Sequence, residues 1–257
     1  MRVSIMVSGG LDSYIAYYYA LKNGYIPDAI WVNLGQPYWK KEEEKVNSFE
    51  FPVKKIKIDL LREEFGNLPT PQKQIIPGRN LFLAYIGAFF NERVWIVALE
   101  TEMHTYARER DKSWKFYRDT TELFTYIFNY VRENTIVETP FSHLSKTEIV
   151  RWALENGITE KQLKNTSSCY DDKIERCGKC LTCFKRWIAM INNNIEEKYI
   201  SLPYESEYAK RTVKEMVEAV EKQDFSHYTK KRCIETFEAL IKIGKVEYKE
   251  VLEKIKL

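Results

Sequence analysis

A chain of 257 residues with 44% apolar and 30% charged side chains can fill one sizeable core and carry a small appendage. Its net charge of +3 gives no whole-chain signature of polyanion binding. No apolar run is long enough to cross a bilayer, and Met1-Arg2-Val3-Ser4 is too polar to open a secretory signal, so no membrane partner and a cytoplasmic location are expected.

In chain order, residues 2–7 alternate and end apolar, as a short buried strand does. Gly9-Gly10 then turns the chain into an apolar stretch at 14–21 that suits a helix. The cycle recurs: 28–32 reads as a strand, 40–47 as a charged surface helix and 53–59 as a strand. Residues 81–90 read as a buried helix and 94–98 as a buried strand; 120–132 follow as a helix, 135–138 as a short strand and 146–155 as a helix. Strands alternating with helices predict an α/β fold with a doubly wound, mostly parallel sheet and helices on both faces. Ligands of such sheets bind beyond the carboxyl ends of the strands, where the first glycine turn must lie.

After Asn156-Gly157 the pattern gives way to a cysteine-rich segment and a helix over about 180–191, which Asn192-Asn193-Asn194 should end. From Glu205 onward, Lys and Glu alternate with apolar residues at helical spacing (Val213, Met216, Val217, Val220, then Phe237, Leu240, Ile241), predicting two or three amphipathic helices. The expected division is a main domain at 1–195, including a metal-binding segment at 168–186, and a helical extension at 200–257. No internal repeat or low-complexity segment is present.

Ser8-Gly9-Gly10-Leu11-Asp12-Ser13 lacks the Gly-Lys-[Ser/Thr] ending of a Walker loop, yet its chemistry is legible. Adjacent glycines let backbone N–H groups converge on an anion, and the following helix adds its positive end. Ser8 and Ser13 offer hydroxyls to phosphate. Asp12 is a poor holder of bare phosphate, which points to Mg2+ between them. The competing reading is a glycine turn capped by Asp12 or Ser13.

Of five cysteines, Cys169, Cys177, Cys180 and Cys183 cluster and Cys233 stands alone. Two overlapping Cys-x2-Cys steps have the spacing of a four-thiolate Zn2+ site, closed and therefore structural, with an iron–sulfur cluster as the rival. Gly178 relieves the turn, Arg176, Lys179 and Lys185 would offset the negative charge, and Cys233 reads as a core residue.

The 8–13 turn resembles the signature loop of the PP-loop ATP pyrophosphatases, which implies that it holds pyrophosphate while AMP passes to a substrate. Ser168-Cys169-Tyr170 with Cys177-Gly178-Lys179-Cys180-Leu181-Thr182-Cys183-Phe184-Lys185-Arg186 resembles the zinc motif of the 7-cyano-7-deazaguanine synthase (QueC) family. Leu34-Gly35-Gln36, Ile76-Pro77-Gly78-Arg79-Asn80 and Thr139-Pro140 with Lys146-Thr147-Glu148-Ile149-Val150 resemble further motifs of that family in the same order. The resemblance covers about residues 1–195.

It implies ATP held by the loop with Gly35, Gln36, Arg79 and Asn80, a deazapurine substrate and ammonia, and a homodimer. Stable nucleic-acid binding is not expected. An arginine at a helix start suits a phosphate or a substrate carboxylate. Lys146 reads equally as a site residue or a solvated lysine. The chain departs from the family over 98–124, where only Tyr117, Asp119 and Phe124 of a substrate-recognition segment remain. Tyr117 and Asp119 are thereby candidate substrate residues, Asp119 or Glu102 a candidate base, and His104 and His143 loop or packing residues. Rivals to nitrile formation are a relative that stops at the amide or joins the deazapurine to a protein amine, a tRNA-modifying enzyme, and a silent nucleotide-binding regulator.

Overall fold

The computed structural model describes residues 1–36, 38–58, 76, 78–103, 110–169, 171 and 175–256. The segments expected as strands form one parallel sheet: β1 (Arg2–Met6), β2 (Ile26–Asn33), β3 (Val53–Lys57), β4 (Arg93–Trp95) and β5 (Ile136–Glu138). Their order is β3-β2-β1-β4-β5. Met6 lies beside Ile30 on one side of β1, and Ser4 beside Val94 on the other. The chain moves outward from β1 to β3, then returns to the free side of β1 to add β4 and β5. That reversal creates a switch point between β1 and β4, and a crevice beyond their carboxyl ends.

The helices are α1 (Leu11–Lys22), α2 (Trp39–Asn47), α3 (Arg79–Phe90), α4 (Trp114–Phe128), α5 (Lys146–Glu155), α6 (Glu160–Asn165), α7 (Leu181–Asn192), α8 (Glu207–Glu221), α9 (Lys230–Lys242) and α10 (Lys249–Lys256). Strand alternation assigns them to two faces. Val3, Ile5, Trp31 and Trp95 meet Leu11 and Ile15 of α1 and Ile149 and Val150 of α5. Ile30, Val32, Val94 and Ile96 meet Ala84 and Ala88 of α3 and Phe124 and Phe128 of α4. The doubly wound architecture is therefore as the alternating pattern predicts.

The expected buried helix at 81–90 is covered on one side only. Ala84, Ile86 and Ala88 pack on the sheet, whereas Phe89 is 59% exposed and Leu81, Phe82, Tyr85 and Phe90 are also exposed. A helix apolar all round gives no periodicity from which its outer face could be read. The turn of helix at α6, in a stretch without a clear pattern, forms because Thr159 and Gln162 close a capping box.

The tail forms α8, α9 and α10, and it has no core of its own. Phe184, Trp187 and Ile188 of α7 share one apolar cluster with Met216, Phe237 and Leu240, and Cys233 is buried there as its isolation predicted. Asn193 follows α7 and Asn194 takes φ +59°, so the asparagine run does end that helix. Among the described residues no helix is long and apolar enough to cross a membrane.

Candidate functional site

The turn after β1 is built for close backbone approach. Gly9 has φ +71°, and a Cβ there would lie 3.0 Å from Lys45 Cβ and 3.2 Å from the Glu42 carbonyl, so only glycine lets the turn pass beneath α2. Gly10 is the N-cap of α1, with no side-chain capping bond. The competing reading, a turn capped by Asp12 or Ser13, is not what forms. Ser13 Oγ accepts the Ser8 N–H at 3.3 Å and donates to the Gly10 carbonyl at 3.2 Å, tightening the turn and leaving the helix end without a side-chain cap. An uncapped helix N-terminus favours an anion. Asp12 accepts from Lys146 Nζ at 2.6 Å through Oδ2, and its Oδ1 faces the same ammonium.

A cavity of about 220 Å³ opens over this turn. Ser8, Gly10, Leu11, Asp12 and Ser13 of the turn line it together with Gln36, Arg79, Asn80 and Lys146, all anticipated from sequence, whereas Gly9 and Gly35 are not among its lining residues. So do Glu42, Glu102, Lys112 and Lys185, and the backbone segment at 167–169 closes one side. Ser167 N–H donates to the Gly9 carbonyl at 2.9 Å, fastening that segment to the turn.

One wall is organised by Glu42 of α2. Its Oε2 accepts from Gln36 Nε2 at 2.7 Å and Trp31 Nε1 at 3.2 Å. Burial pushes its carboxyl up to about 7, against the pull of Arg79 and those two donors. Gln36 Oε1 accepts the Leu34 N–H at 2.8 Å, so this side chain braces the loop after β2. Gly35, φ +83°, donates its N–H to Asn33 Oδ1 at 2.8 Å in the same bend. Arg79 donates to Tyr38 Oη at 2.7 Å, and Asn80 Nδ2 to the Asp111 carbonyl at 3.2 Å.

The facing charge cluster centres on Glu102. Its Oε1 lies 3.3 Å from Lys112 Nζ and 3.6 Å from Lys185 Nζ. Burial opposes its ionisation, but Lys112, Lys185 and Lys146 outweigh burial and hold the carboxyl far below the usual glutamate range.

Tyr117 and Asp119 do not reach the cavity. Tyr117 is buried behind the sheet and donates to the Ile96 carbonyl at 2.6 Å. Asp119 sits on the exposed side of α4 with Lys115 and Arg118. Thr121 accepts the Val137 N–H at 3.0 Å, so this part of α4 clamps β5 in place. A helical segment presents only one side to a site, and here that side faces the sheet. His143 is exposed and packs near Trp114, as a loop residue would. Pro77, His104, Arg108 and Tyr170 lie outside the described residues.

The four clustered cysteines meet as their spacing predicts, all Sγ atoms lying within 4.8 Å of one another. A tetrahedral ion with bonds of about 2.3 Å needs sulfurs about 3.8 Å apart, so these thiols could hold a metal ion such as zinc. Cys169 Sγ accepts the Cys177 N–H at 3.4 Å, and Cys177 Sγ the Lys179 N–H at 3.3 Å, bonds that hold the two sulfurs in place. Gly178 has φ +75°, and a Cβ there would lie 1.7 Å from the Ser201 carbonyl oxygen. The tail entrance is laid directly on the knuckle, with Ser201 N–H donating to the Cys177 carbonyl at 3.2 Å.

The expected cationic compensation is distributed differently. Lys185 turns to Glu102, and Arg176 binds Glu197 at 3.3 Å, while Lys41 of α2 donates to the carbonyls of Cys169, Asp171 and Glu175. Arg186, 1% exposed, pairs with Glu197 at 2.7 Å and donates to the Leu163 carbonyl at 2.8 Å, tying α6, α7 and the tail entrance together. Lys112 and Glu42 carried no sequence signal, because a charged residue in a polar stretch looks like a solvated one until its neighbours are known.

Comparison with known proteins relates the chain to one family. Residues 2–194 match the family model described as queuosine biosynthesis protein QueC. The chain is 29% identical over 227 residues to a 7-cyano-7-deazaguanine synthase of Nitratiruptor sp., covering 80% of this chain and 100% of that one. Proteins of the same name from Archaeoglobus fulgidus and Methanocaldococcus jannaschii are 26% and 29% identical, covering 78% and 77% of this chain and 90% and 98% of theirs. A solved structure described as a predicted subunit of tRNA methyltransferase from Methanocaldococcus jannaschii superposes with a TM-score of 0.40 at 19% identity, over 64% of this chain and 85% of that one, too slight a likeness to build on. With a match that spans the sheet, the glycine turn and the cysteine cluster, this chain belongs to the QueC family.

Proposed function

We propose that the protein converts 7-carboxy-7-deazaguanine and ammonia to 7-cyano-7-deazaguanine at the expense of ATP. The observation that carries this reading is the meeting, in one cavity, of an uncapped glycine turn with Arg79 and Lys146 in a member of the QueC family. A carboxylate is a poor electrophile because its leaving group would be oxide. Its oxygen attacks the α-phosphorus of ATP, pyrophosphate leaves, and the resulting mixed anhydride loses AMP to ammonia to give the amide. A second ATP adenylates the amide oxygen, and loss of AMP with two protons leaves the nitrile.

The residues act on charge and position. The N–H groups of the 8–13 turn and the start of α1 hold the leaving pyrophosphate, and Ser8 and Ser13 serve the turn. Arg79 and Lys146 stabilise charge growing on phosphate, the effect that usually lowers the barrier most in such reactions. Asp12, with Mg2+ when bound, would complete the phosphate site; the ion supplies Lewis acidity at the phosphoryl oxygens. Gly35, Gln36 and Asn80 shape the nucleotide side. Zn2+ is the ion proposed for Cys169, Cys177, Cys180 and Cys183, in a structural role.

The same reading takes 1–195 as the catalytic unit and 200–257 as an extension, and a homodimer as the working form. The exposed apolar side chains of α3 and α4, among them Phe89 and Tyr126, support a covered face. Because the recognition segment departs from the family, a product arrested at the amide or joined to a protein amine is the second reading. Mass spectrometry after incubation with the carboxy compound, ATP and ammonium separates them. Nitrile with AMP supports the first, amide alone the second, and absence of AMP with any deazapurine removes both.

A further inference from the structure

Lys146 is the first residue of α5, and it reaches Asp12 from the start of that helix. The first turn of a helix is the part its own hydrogen bonds fix least, and helix ends fray. Here a capping box closes the turn. Ser145 Oγ accepts the Glu148 N–H at 3.1 Å, and Glu148 Oε2 accepts the Ser145 N–H at 2.7 Å. Ser145 is fully buried, so its hydroxyl proton also needs a partner inside the protein.

The tail supplies that partner and holds both members of the box. Ser145 Oγ donates to Glu235 of α9, and Lys231, one turn earlier on the same helix, donates to Glu148 Oε2 at 2.9 Å. Lys231 also donates to the His143 carbonyl at 3.1 Å, gripping the chain just before the cap. The end of α7 adds a third hold. Asn193 Nδ2 donates to the Thr147 carbonyl at 3.0 Å, and Asn192 Nδ2 donates to the Glu235 carbonyl at 2.8 Å, fixing α9 to α7. The residues on both sides of Lys146 are thus fastened to α7 or α9. The family match ends at residue 194, so it includes Lys146 but neither Lys231 nor Glu235. The side chains of Lys231 and Glu148 are 35% and 34% exposed, and an ion pair so open to water adds little to global stability. What the pair supplies is position, next to the lysine that faces the glycine turn.

We propose that Lys231 and Glu235 are positioning residues for the reaction: acting through the Ser145–Glu148 cap, they set Lys146 against Asp12 at the uncapped start of α1. This inference rests on the role given to Lys146 above. It gives the extension a task, which is to complete the geometry of a site whose reacting groups all come from the main domain.

The test is steady-state AMP formation from 7-carboxy-7-deazaguanine, ATP and ammonium by the full chain and its variants. Lys231→Met should lower kcat by about tenfold, within the range that a misplacement of about 1 Å costs, and leave KM for ATP within about twofold. Glu235→Ala should do the same, and Lys231→Arg should recover most of the loss. The deciding comparison repeats Lys231→Met in a Lys146→Met protein. If Lys231 acts through Lys146, the second substitution should then cost less than about twofold, because residues that work as a unit are not additive. A tenfold loss on both backgrounds shows a general structural role and overturns the inference. So does a Lys231→Met protein with parental kcat, or one that changes KM alone, and either leaves the reaction standing. Parental kcat in Lys146→Met overturns the inference together with the role of Lys146, and a parent chain that forms no AMP overturns the reaction itself.

Discussion

Lys146 Nζ donates to Asp12 Oδ2 at 2.6 Å, joining the start of α5 to the first turn of α1 across 134 residues. The contact places a cation at the uncapped helix end where phosphate is expected, and it neutralises the one carboxylate in the turn that would repel that phosphate. Lys146→Met should therefore lower kcat for AMP release by about 10²-fold or more, the range for losing one preorganised charge at a reacting group. Steady-state kinetics check this, and a drop under threefold would remove Lys146 from the reacting centre.

Gly178 is confined twice, by φ +75° and by the Ser201 carbonyl. Alanine there needs a left-handed backbone costing about 1–2 kcal/mol and must also push the tail entrance off the cysteine knuckle. Gly178→Ala should lose at least about 2 kcal/mol, or about 4–8 °C in Tm for a chain of this size. Bound zinc, measured by elemental analysis, should fall below the expected one per chain. Iron in place of zinc in the parent protein would overturn the zinc assignment.

Glu235 of α9 lies half-buried against the cap of α5, where it accepts from Ser145 Oγ, and desolvation pushes its carboxyl up to about 7. Because the folded value lies above the ordinary value of 4.5, the native state binds the extra proton between about pH 4.5 and 7. Stability is lost as pH rises through that window, and the cost persists above it. Glu235→Gln keeps the acceptor and removes the charge. It should be more stable than the parent at pH 8 by roughly 1–3 kcal/mol and indistinguishable near pH 4 in urea melts.

Arg186 and Glu197 form a pair with both side chains 1% exposed. Burial works against the Glu197 carboxylate, yet Arg186 and Arg176 carry its pKa below the usual range. Its stabilisation is present above the ordinary glutamate pKa and is lost as pH falls through the lowered one. Removing one partner leaves the other charge buried, so Arg186→Met should cost about 3–5 kcal/mol, while Arg186→Met with Glu197→Leu should recover part of it. Denaturant melts of the two variants decide the point, and equal losses would show that the unpaired Glu197 carboxylate costs little.

Phe89 and Tyr126 stand 59% and 75% exposed on neighbouring helices. In a homodimer that buries this face, Phe89→Asp should yield a monomer by light scattering. A parent chain already monomeric at micromolar concentration would sink the homodimer reading.

The features legible in the sequence were local in origin. The alternation of β1, the glycine pair, the four-cysteine spacing and the amphipathic tail each follow from residues near one another in the chain, because backbone sterics and side-chain periodicity act over a few residues. Lys146, Arg79 and Asn80 became readable through resemblance, and the structure brings them to the glycine turn. Which charges face the cavity depends on the folded chain. Lys112 and Lys185 are 73 positions apart and share one carboxylate because a helix and a loop cross there. Tyr117 and Asp119 miss the cavity because one lies under the sheet and the other in solvent. The outer side of α3 could not be inferred from a helix apolar all round. Strand order and helix crossing bring distant residues together, and electrostatics then acts through space, without regard to sequence separation.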